Sequence, residues 1–479
     1  MFTDQERMIL GIIVIVYFAL LIGFSLYINH RQIKSYDDYN VAGRTVSIFP
    51  LILTYVGTAI GGASLLGYME NAYKLGMGQQ WLNIGGLIAG AIMACVFLKK
   101  IREIGEKHHM VTIGDYTALR FGEAARIPTV ISILVAYCAI TGMQFVAIAT
   151  ILNLTIGISM TLGIIISWLM LTLKTYFGGL KSVIWQDAIH GTIQTLGIVL
   201  LLIVVILVSG GWSAMSENAI ALNQADQISI FGITPTEVLI YLLTIGAYQF
   251  VRQDLWQRFW AAKDYKTAMR GYWISIIVSA LTGIFVMTIG IFAKFGLQLE
   301  SANPALIYYE VIGTIFSFPL VVVMIVVLLA TVISTADSFF MAGASSIIND
   351  IIKPRLHQPT DAKLLLYSRY SVALVSIFAL LLALYIPQLV NLWVTGTAML
   401  VSGLLAPVTF GLFWKRTTKV AGVASMWIGL VVATTWQILG HPFGIHPVFL
   451  GLPISIVSLV VMTLLTKADV EEEELREAK

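Results

Sequence analysis

The sequence predicts an all-α polytopic membrane protein. Of its 479 residues, 58% are hydrophobic and only 11% are charged. The mean hydropathy of +0.87 is far above that of a soluble globular domain. The apolar residues also form long segments, each of a length that suits a membrane-crossing helix.

About thirteen membrane-spanning helices are predicted, because one apolar segment follows another almost without interruption. A helix of about 20 residues crosses the roughly 30 Å hydrocarbon core of a bilayer. Because the segments follow one another so closely, a single transmembrane domain over residues 1–479 is expected. The predicted spans are residues 8–28, 47–73, 80–98, 129–154, 158–175, 181–209, 237–258, 272–296, 318–346, 370–386, 389–414, 420–439 and 448–466.

The distribution of lysine and arginine predicts the orientation in the membrane. Most of the 29 basic residues fall in alternate connections, and Lys174 and Arg258 are counted among them. The polar connection 210–236 contains none. Basic residues mark the cytoplasmic side, so the amino terminus is predicted outside and the acidic tail, residues 467–479, inside. An odd number of spans requires the same arrangement. We therefore expect a multi-pass protein of the cell (plasma) membrane, surrounded by lipid.

Two predicted spans are poor as continuous helices. Span 47–73 contains Gly57, Gly61, Gly62 and Gly67, and span 237–258 is interrupted by a small and polar stretch at 246–250. Unwound backbone at membrane depth is tolerated where it lines a cavity. The alternative for the glycines is close packing of helices through small residues.

The two interruptions occupy corresponding positions in two halves of the chain. Residues 47–209 and 237–414 each contain five predicted spans, and an odd number gives the halves opposite orientations. Broken helices at matching positions of inverted repeats are typical of transporters with a binding site near the membrane midplane. Helix 8–28 precedes the repeats, and two further peripheral helices follow them within 420–466.

A cluster of polar side chains lies in the apolar stretch 328–346. Thr331, Ser334, Thr335 and Ser338 share one helical face, and Asp337 lies beside them. Such groups are costly against lipid, and closely spaced oxygens suit a hard cation such as sodium. Alternatively, the hydroxyls bond to their own helix and the acid meets a buried partner.

Three motifs resemble the sodium/solute symporter family over nearly the whole chain. They are Gln253-x-x-x-Gln257-Arg258 followed by Ala261-Ala262-Lys263, then Ser334-Thr335-Ala336-Asp337-Ser338, and Gly178-Gly179-Leu180 with Trp185 and Asp187. The resemblance implies a five-plus-five inverted-repeat, LeuT-like core with one helix before it and two after it. It also implies sodium as the coupling ion.

The resemblance further implies a principal sodium site between the first and eighth core helices. The ligands implied are the backbone carbonyls of Gly57, Ile60 and Thr331 and the hydroxyls of Ser334 and Thr335. Some members of the family have a second site near an acid of the fifth core helix.

For that second site, Asp187, Asp337 and Ser338 are the candidates here, for sodium or for a proton. A carboxylate at Asp337 departs from the two-ion pattern, in which a hydroxyl is expected. Asp337 could instead pair with a base such as Arg258 or Lys181.

Six residues are candidates for solute contacts, from the alignment implied by the resemblance and from their polarity. They are Gly61, Ser64, Asn83, Gln144, Tyr248 and Gln249. For Asn83 and Gln144, a hydrogen bond between helices is an equally good explanation.

The expected function is sodium-coupled symport of a small polar organic solute, such as an amino acid or a monocarboxylate, by alternating access. Proton coupling through Asp187 or Asp337 and a passive channel remain alternatives. An enzyme is not expected, because the His residues lack metal-ligand spacing and His190 is better explained as a packing residue. Cys95 and Cys138 suggest no disulfide. A monomeric functional unit without a nucleic-acid partner is expected.

Overall fold

The computed structural model describes residues 3–385 and 389–467, and this part of the chain folds into a bundle of helices. Among the described residues, one isolated β-bridge joins Val46 to Ala262. There the Val46 amide donates to the Ala261 carbonyl at 3.0 Å. The acidic tail and the end of predicted span 370–386 lie outside the described residues.

The helices of the first part of the chain are α1 Asp4–Gln32, α2 Tyr36–Val41, α3 Ile48–Ala59, α4 Gly62–Leu75, α5 Trp81–Ile92, α6 Leu98–Lys107, α7 Ile113–Phe121, α8 Arg126–Ile156, α9 Met160–Val208 and α10 Gly211–Ala221. The second part contains α11 Pro235–Tyr241, α12 Gln253–Ala261, α13 Tyr265–Ile291, α14 Ile307–Ile315, α15 Phe318–Ser346, α16 Asp361–Tyr385, α17 Leu389–Phe413, α18 Lys419–Ile438 and α19 Val448–Leu465.

The predicted number of thirteen spans is not confirmed. Among the described residues, ten helices are long and apolar enough to cross a membrane, and the pair Ile48–Ala59 and Ser64–Leu75, bent by 47°, makes up to eleven. Predicted spans 158–175 and 181–209 belong to one 49-residue helix, α9. Predicted span 237–258 consists of short helical pieces that do not pass as one span.

Helix α9 is interrupted at one residue. Its 49 residues would extend about 74 Å as a straight helix, more than twice the thickness of the hydrocarbon core. Gly179 has φ 56° and ψ −174°, which is not helical, and this region of conformational space is almost closed to residues other than glycine. A Cβ there would also lie 2.6 Å from the Tyr39 ring. The break divides α9 into two arms.

Helix α15 is the centre of the bundle. Every residue from Val327 to Ser346 is buried, whereas a surface helix in lipid exposes one apolar face. It packs against α3, α8, α9 and α16. The polar side chains that the sequence places on α15 therefore face other helices and not the lipid.

Gly179→Ala is expected to lower the apparent thermal midpoint of the purified protein by on the order of a few degrees. Holding alanine in this backbone conformation costs on the order of 1–3 kcal/mol, and the new methyl group meets Tyr39. Differential scanning fluorimetry in detergent measures the change. Gly23→Ala is the matched control, because a Cβ at Gly23 has no atom within 4 Å. Equal midpoints for the two variants would contradict the assigned break.

Candidate ion and solute site

The junction of α3 and α4 is unwound. Ile60 (φ −109°, ψ 92°) and Gly61 (φ −92°, ψ −177°) are extended, and α4 starts at Gly62. The Gly62 amide donates to the side-chain oxygen of Gln144 at 3.1 Å, which satisfies a donor that the break leaves free. The interruption that the glycine pattern predicts is therefore present.

The break brings α3 very close to α15. A Cβ at Gly57 would lie 2.5 Å from Ser334 Oγ, and one at Gly61 would lie 2.7 Å from Thr335 Oγ1. Both distances are too short for any real side chain, so glycine is required at both positions. Close packing, the alternative given for these glycines, and unwinding therefore both occur in the same segment.

Carbonyl oxygens at the end of α3 face the hydroxyls of α15. Thr335 Oγ1 donates to the carbonyls of Gly57 at 3.3 Å and Thr58 at 3.4 Å. The last carbonyls of a helix lack backbone donors and carry the negative end of its dipole. This position therefore favours a cation, and the oxygens present fit a sodium ion.

The other three predicted ligands of the principal site, Ser334, Ile60 and Thr331, make different contacts. Ser334 Oγ donates to Asp187 Oδ1 at 2.5 Å, and Ile60 lies with Thr335 on the wall of a cavity. The Thr331 hydroxyl donates to the Val327 carbonyl of its own helix at 2.8 Å. For the Thr331 side chain, the alternative of bonding within the helix is thus correct, and only its carbonyl remains a candidate ligand.

Asp187 lies in a buried network with an arginine. Its carboxylate accepts from Thr54 Oγ1 at 2.6 Å and lies 3.4 Å from Arg258 Nη2. The same guanidinium donates to Thr58 Oγ1 at 2.8 Å and to Ser338 Oγ at 2.5 Å. Arg258 therefore occupies the space beside Asp187 and Ser338 that the sequence assigned to a second ion.

Asp337 is held by a lysine on the other side of α15. Its carboxylate forms an ion pair with Lys174 and accepts from Thr175 Oγ1 at 2.9 Å. The base that the sequence suggested was Arg258 or Lys181, but Lys181 pairs with Asp38 at 3.0 Å. The alternative that Asp337 meets a buried partner is thus correct, although its partner was not identified.

These contacts correct two sequence-based interpretations. Lys174 and Arg258 are both 1% exposed at the side chain, so neither is a cytoplasmic loop residue that reports orientation. Ser338 Oγ lies 3.4 Å from Asp187 and Arg258 contacts both, whereas Asp337 pairs with Lys174, so each of the two acids already has a positive partner. The physical reason is that a buried carboxylate is stable only when its charge is compensated.

All six predicted solute residues line one cavity of about 110 Å³, beside the break. It is bounded by Gly61, Ser64, Asn83, Gln144, Tyr248 and Gln249, and Thr335 also reaches it. Asn83 donates to Gln80 at 3.1 Å, and Gln144 donates to the Ile140 carbonyl at 3.3 Å. Both of these bonds are local, but Gln144 also accepts from the Gly62 amide at 3.1 Å and Asn83 contacts Met287 Sδ at 3.7 Å, so each side chain also bonds between helices while part of it faces the cavity.

Sequence reasoning missed several cavity residues. Tyr55, Tyr272 and Trp393 line it, and Arg252 does so while bonded to Asp254 at 2.6 Å. The hydroxyls of Tyr55 and Tyr272 are buried without a hydrogen-bond partner among the described residues. Aromatic residues within apolar spans give no periodic signal that would mark them as cavity residues. The charged pair at 252 and 254 lies inside a predicted span, and charges there indicate a functional site.

A larger space of about 1410 Å³ lies next to this cavity, and Leu82 borders both. Its walls include Glu70 and Lys74, which form a salt bridge at 2.8 Å. It also reaches His441 and His446, in a connection predicted to face outward. We call this larger space the vestibule.

His190 stays a packing residue. It is fully buried, its ring centroid lies 6.0 Å from that of Tyr17, and neither ring nitrogen has a hydrogen-bond partner among the described residues. A general base needs a proton donor within hydrogen-bond reach. The geometry around His190 provides none in the described part of the chain.

A membrane bundle built around an unwound helix with a partly polar cavity beside the break is typical of secondary transporters. Solved structures show the same fold. A Na⁺-coupled sialic acid symporter in a substrate-bound outward-open state superposes with a TM-score of 0.81 at 20% identity, covering 96% of this chain and 98% of that one. A nucleobase-cation-symport-1 family transporter with bromovinylhydantoin bound gives 0.58 at 15% identity, covering 89% and 92%.

Sequence comparisons agree with the fold. The model of the sodium:solute symporter family matches residues 39–429. The sodium/proline symporter of Escherichia coli is 25% identical over 480 residues, covering 96% of this chain and 93% of that protein. The high-affinity proline transporter PutP of Bacillus subtilis is 26% identical over 473 residues, covering 94% and 96%.

The chain belongs to the sodium:solute symporter family. The LeuT-like fold class is thereby confirmed, and the protein is a membrane transporter that couples solute movement to sodium. Family and relatives point away from an enzyme.

Gly57→Ala is expected to raise the sodium concentration for half-maximal uptake at least tenfold, because the added methyl group pushes Ser334 away from α3. Uptake into proteoliposomes over a range of sodium concentrations measures it, with Gly23→Ala as the control. Unchanged sodium dependence in Gly57→Ala would mean that the α3–α15 contact has no part in sodium binding.

Proposed function

We propose that this protein is a sodium-driven symporter of a small polar organic solute, which it carries by alternating access. One observation supports this above all. The cavity lined by the six candidate solute residues directly adjoins the contact between the end of α3 and Thr335. An ion at that contact and a solute in that cavity would share a wall, so each would order the binding surface of the other.

The sodium ligands in this proposal are the carbonyls of Gly57, Ile60 and Thr331 and the hydroxyls of Ser334 and Thr335. Sodium at this position ties α15 to the broken helix and favours the state in which the vestibule leads to the cavity. When the solute is also bound, the outer side closes. Release to the cytoplasm follows as the contact between α3 and α15 loosens.

A single sodium ion supplies enough driving force. One charge moving through 100 mV contributes about 2.3 kcal/mol, and a tenfold concentration gradient adds about 1.4 kcal/mol. Their sum, about 3.7 kcal/mol, corresponds to roughly several-hundredfold accumulation of a neutral solute.

The cavity favours a small amino acid as the solute. An enclosed space of about 150 Å³ accommodates benzene, so the cavity of about 110 Å³ here suits only a small solute. Its walls combine aromatic faces with hydroxyl and amide groups, and the charge of Arg252 is balanced by Asp254. A zwitterion with a compact apolar ring or chain fits this chemistry. Because the relatives quoted above transport proline, proline is the first compound to test.

We further propose a multi-pass arrangement in the plasma membrane, with the amino terminus outside and the carboxyl terminus in the cytoplasm, and a monomer as the functional unit. The connections 99–107 and 353–369 still carry many basic residues. The positive-inside argument therefore survives without Lys174 and Arg258. Residues 47–209 and 237–414 remain the proposed inverted repeats.

Ser334→Ala and Thr335→Ala are each expected to raise the sodium concentration for half-maximal uptake at least tenfold, because each removes an oxygen from the proposed cage. Thr331→Ala is the matched control. It lies on the same helix and its hydroxyl bonds to Val327, so its carbonyl stays in place and sodium dependence should hardly change. Equal sodium dependence in all three variants would refute the cage.

Proline is expected to stabilise the purified protein against heat in sodium but not in potassium, because the solute pocket is completed by the ion. A thermal-shift screen of amino acids and small monocarboxylates in both salts measures this, since a ligand that binds only the native state raises its stability. If only a monocarboxylate stabilises the protein, the proposed solute becomes a monocarboxylate and not proline.

Uptake that persists without sodium but is abolished by a protonophore would instead establish proton coupling. Exchange of internal for external solute in proteoliposomes separates a carrier from a passive channel. Flux that increases linearly with solute concentration and shows no exchange would contradict alternating access.

A further inference from the structure

A lysine buried among the helices of a membrane protein is unusual enough to require an explanation. Lys174 lies in the first arm of α9, and its side chain is 1% exposed. Charged side chains at membrane depth are costly and usually functional. Lys174 is not one of the proposed sodium ligands and does not line the solute cavity described above. It belongs to a separate cluster on the other side of α15.

The partners of the lysine are oxygen atoms. Its ammonium group donates to Gln186 Oε1 at 2.6 Å and forms the ion pair with Asp337. Asp337 accepts in addition from Thr175 Oγ1 at 2.9 Å and is fully buried. A carboxylate, an amide oxygen and a hydroxyl are also the hard oxygen ligands that an alkali cation binds. The ammonium group therefore occupies a position that is chemically suited to a sodium ion.

Charge compensation around α15 is complete before any ion binds. Three buried acids, Asp187, Asp254 and Asp337, lie in contact with three buried bases, Arg258, Arg252 and Lys174. One sodium at the principal site adds a single positive charge to this neutral set. A second sodium would add another charge where every carboxylate is already paired, in surroundings of low dielectric constant.

We propose that the Lys174 ammonium group is a tethered replacement for a second sodium ion, so that one sodium accompanies each solute molecule. The proposal rests on the sodium-coupled function proposed above. A covalently attached cation neutralises Asp337 in every state of the transport cycle, but it cannot be released to the cytoplasm. It therefore stabilises the acid without adding driving force.

Removing the lysine tests the proposal. In Lys174→Ala, Asp337, Gln186 and Thr175 keep their oxygens but lose the cation, so a free sodium ion is expected to take its place. Sodium alone, as the sodium-22 isotope, is the probe for the purified full-length chain. The expected result is one bound sodium per wild-type protein and two per Lys174→Ala protein.

Two further variants separate this role from a structural one. Lys174→Met combined with Asp337→Leu removes both charges, and it should return the sodium count to one. Lys181→Ala is the matched control, because Lys181 lies on the same helix and pairs with Asp38 at 3.0 Å but is partly exposed. It should also bind one sodium. A variant that fails to fold would bind fewer sodium ions than the wild-type protein. Only a variant with a vacated cation position would bind more.

Flux measurements supply a second readout. Charge moved per solute in wild-type proteoliposomes should equal one, and the Hill coefficient for sodium should be about one. Two sodium ions bound or moved by the wild-type protein would overturn the proposal, as would one sodium bound by folded Lys174→Ala. If Lys174→Ala does not fold, the wild-type count decides. No sodium bound by the wild-type protein would overturn the sodium-coupled function and this inference together.

Discussion

The contact between the end of α3 and the middle of α15 is the constraint on which the rest of the structure depends. Gly57 and Gly61 leave no room for a side chain against Ser334 and Thr335. Because the helices approach so closely, backbone carbonyls of one meet hydroxyls of the other without intervening apolar groups. The unwound junction at Ile60 then opens the solute cavity beside this contact. In the proposed function, the ion and solute sites are thus two faces of one packing arrangement.

Buried charge is organised around the same helix. Arg258 joins Asp187, Thr58 and Ser338, which belong to three different helices, and Lys174 joins Asp337 to α9. In a bundle of low dielectric constant, an unpaired buried carboxylate is far costlier than a paired one. The fold is therefore stable only when each acid meets its base. These pairs fix which faces of α3, α9, α12 and α15 meet. The ligands of the proposed principal site are neutral oxygens, with the paired carboxylate of Asp187 behind Ser334.

Much of the candidate site could be predicted from the sequence. Glycines within an apolar span predicted the break at Ile60–Gly61, and polar residues at helical spacing predicted the inward face of α15. The six candidate solute residues all line one cavity. The pairing of acids with bases could not be predicted in the same way. Lys174 is 163 residues from Asp337 along the chain, and hydropathy placed it at the edge of a span and not inside the bundle.

The predicted number of thirteen spans is not confirmed, and α9 shows why a count from the sequence is difficult. Whether the stretch around Gly179 is a loop between two helices or a bend within one depends on a single pair of backbone angles, which composition does not encode.

The sequence by itself determined the class of protein, the all-helical membrane fold and the location of the interrupted helix. These follow from local properties, namely hydropathy, helical periodicity and the conformational freedom of glycine. Only the tertiary structure decided which buried charges neutralise one another, and hence which oxygens remain for an ion. That choice depends on distances between helices far apart in the chain, where differences of an ångström or two separate an ion pair from an open cation site.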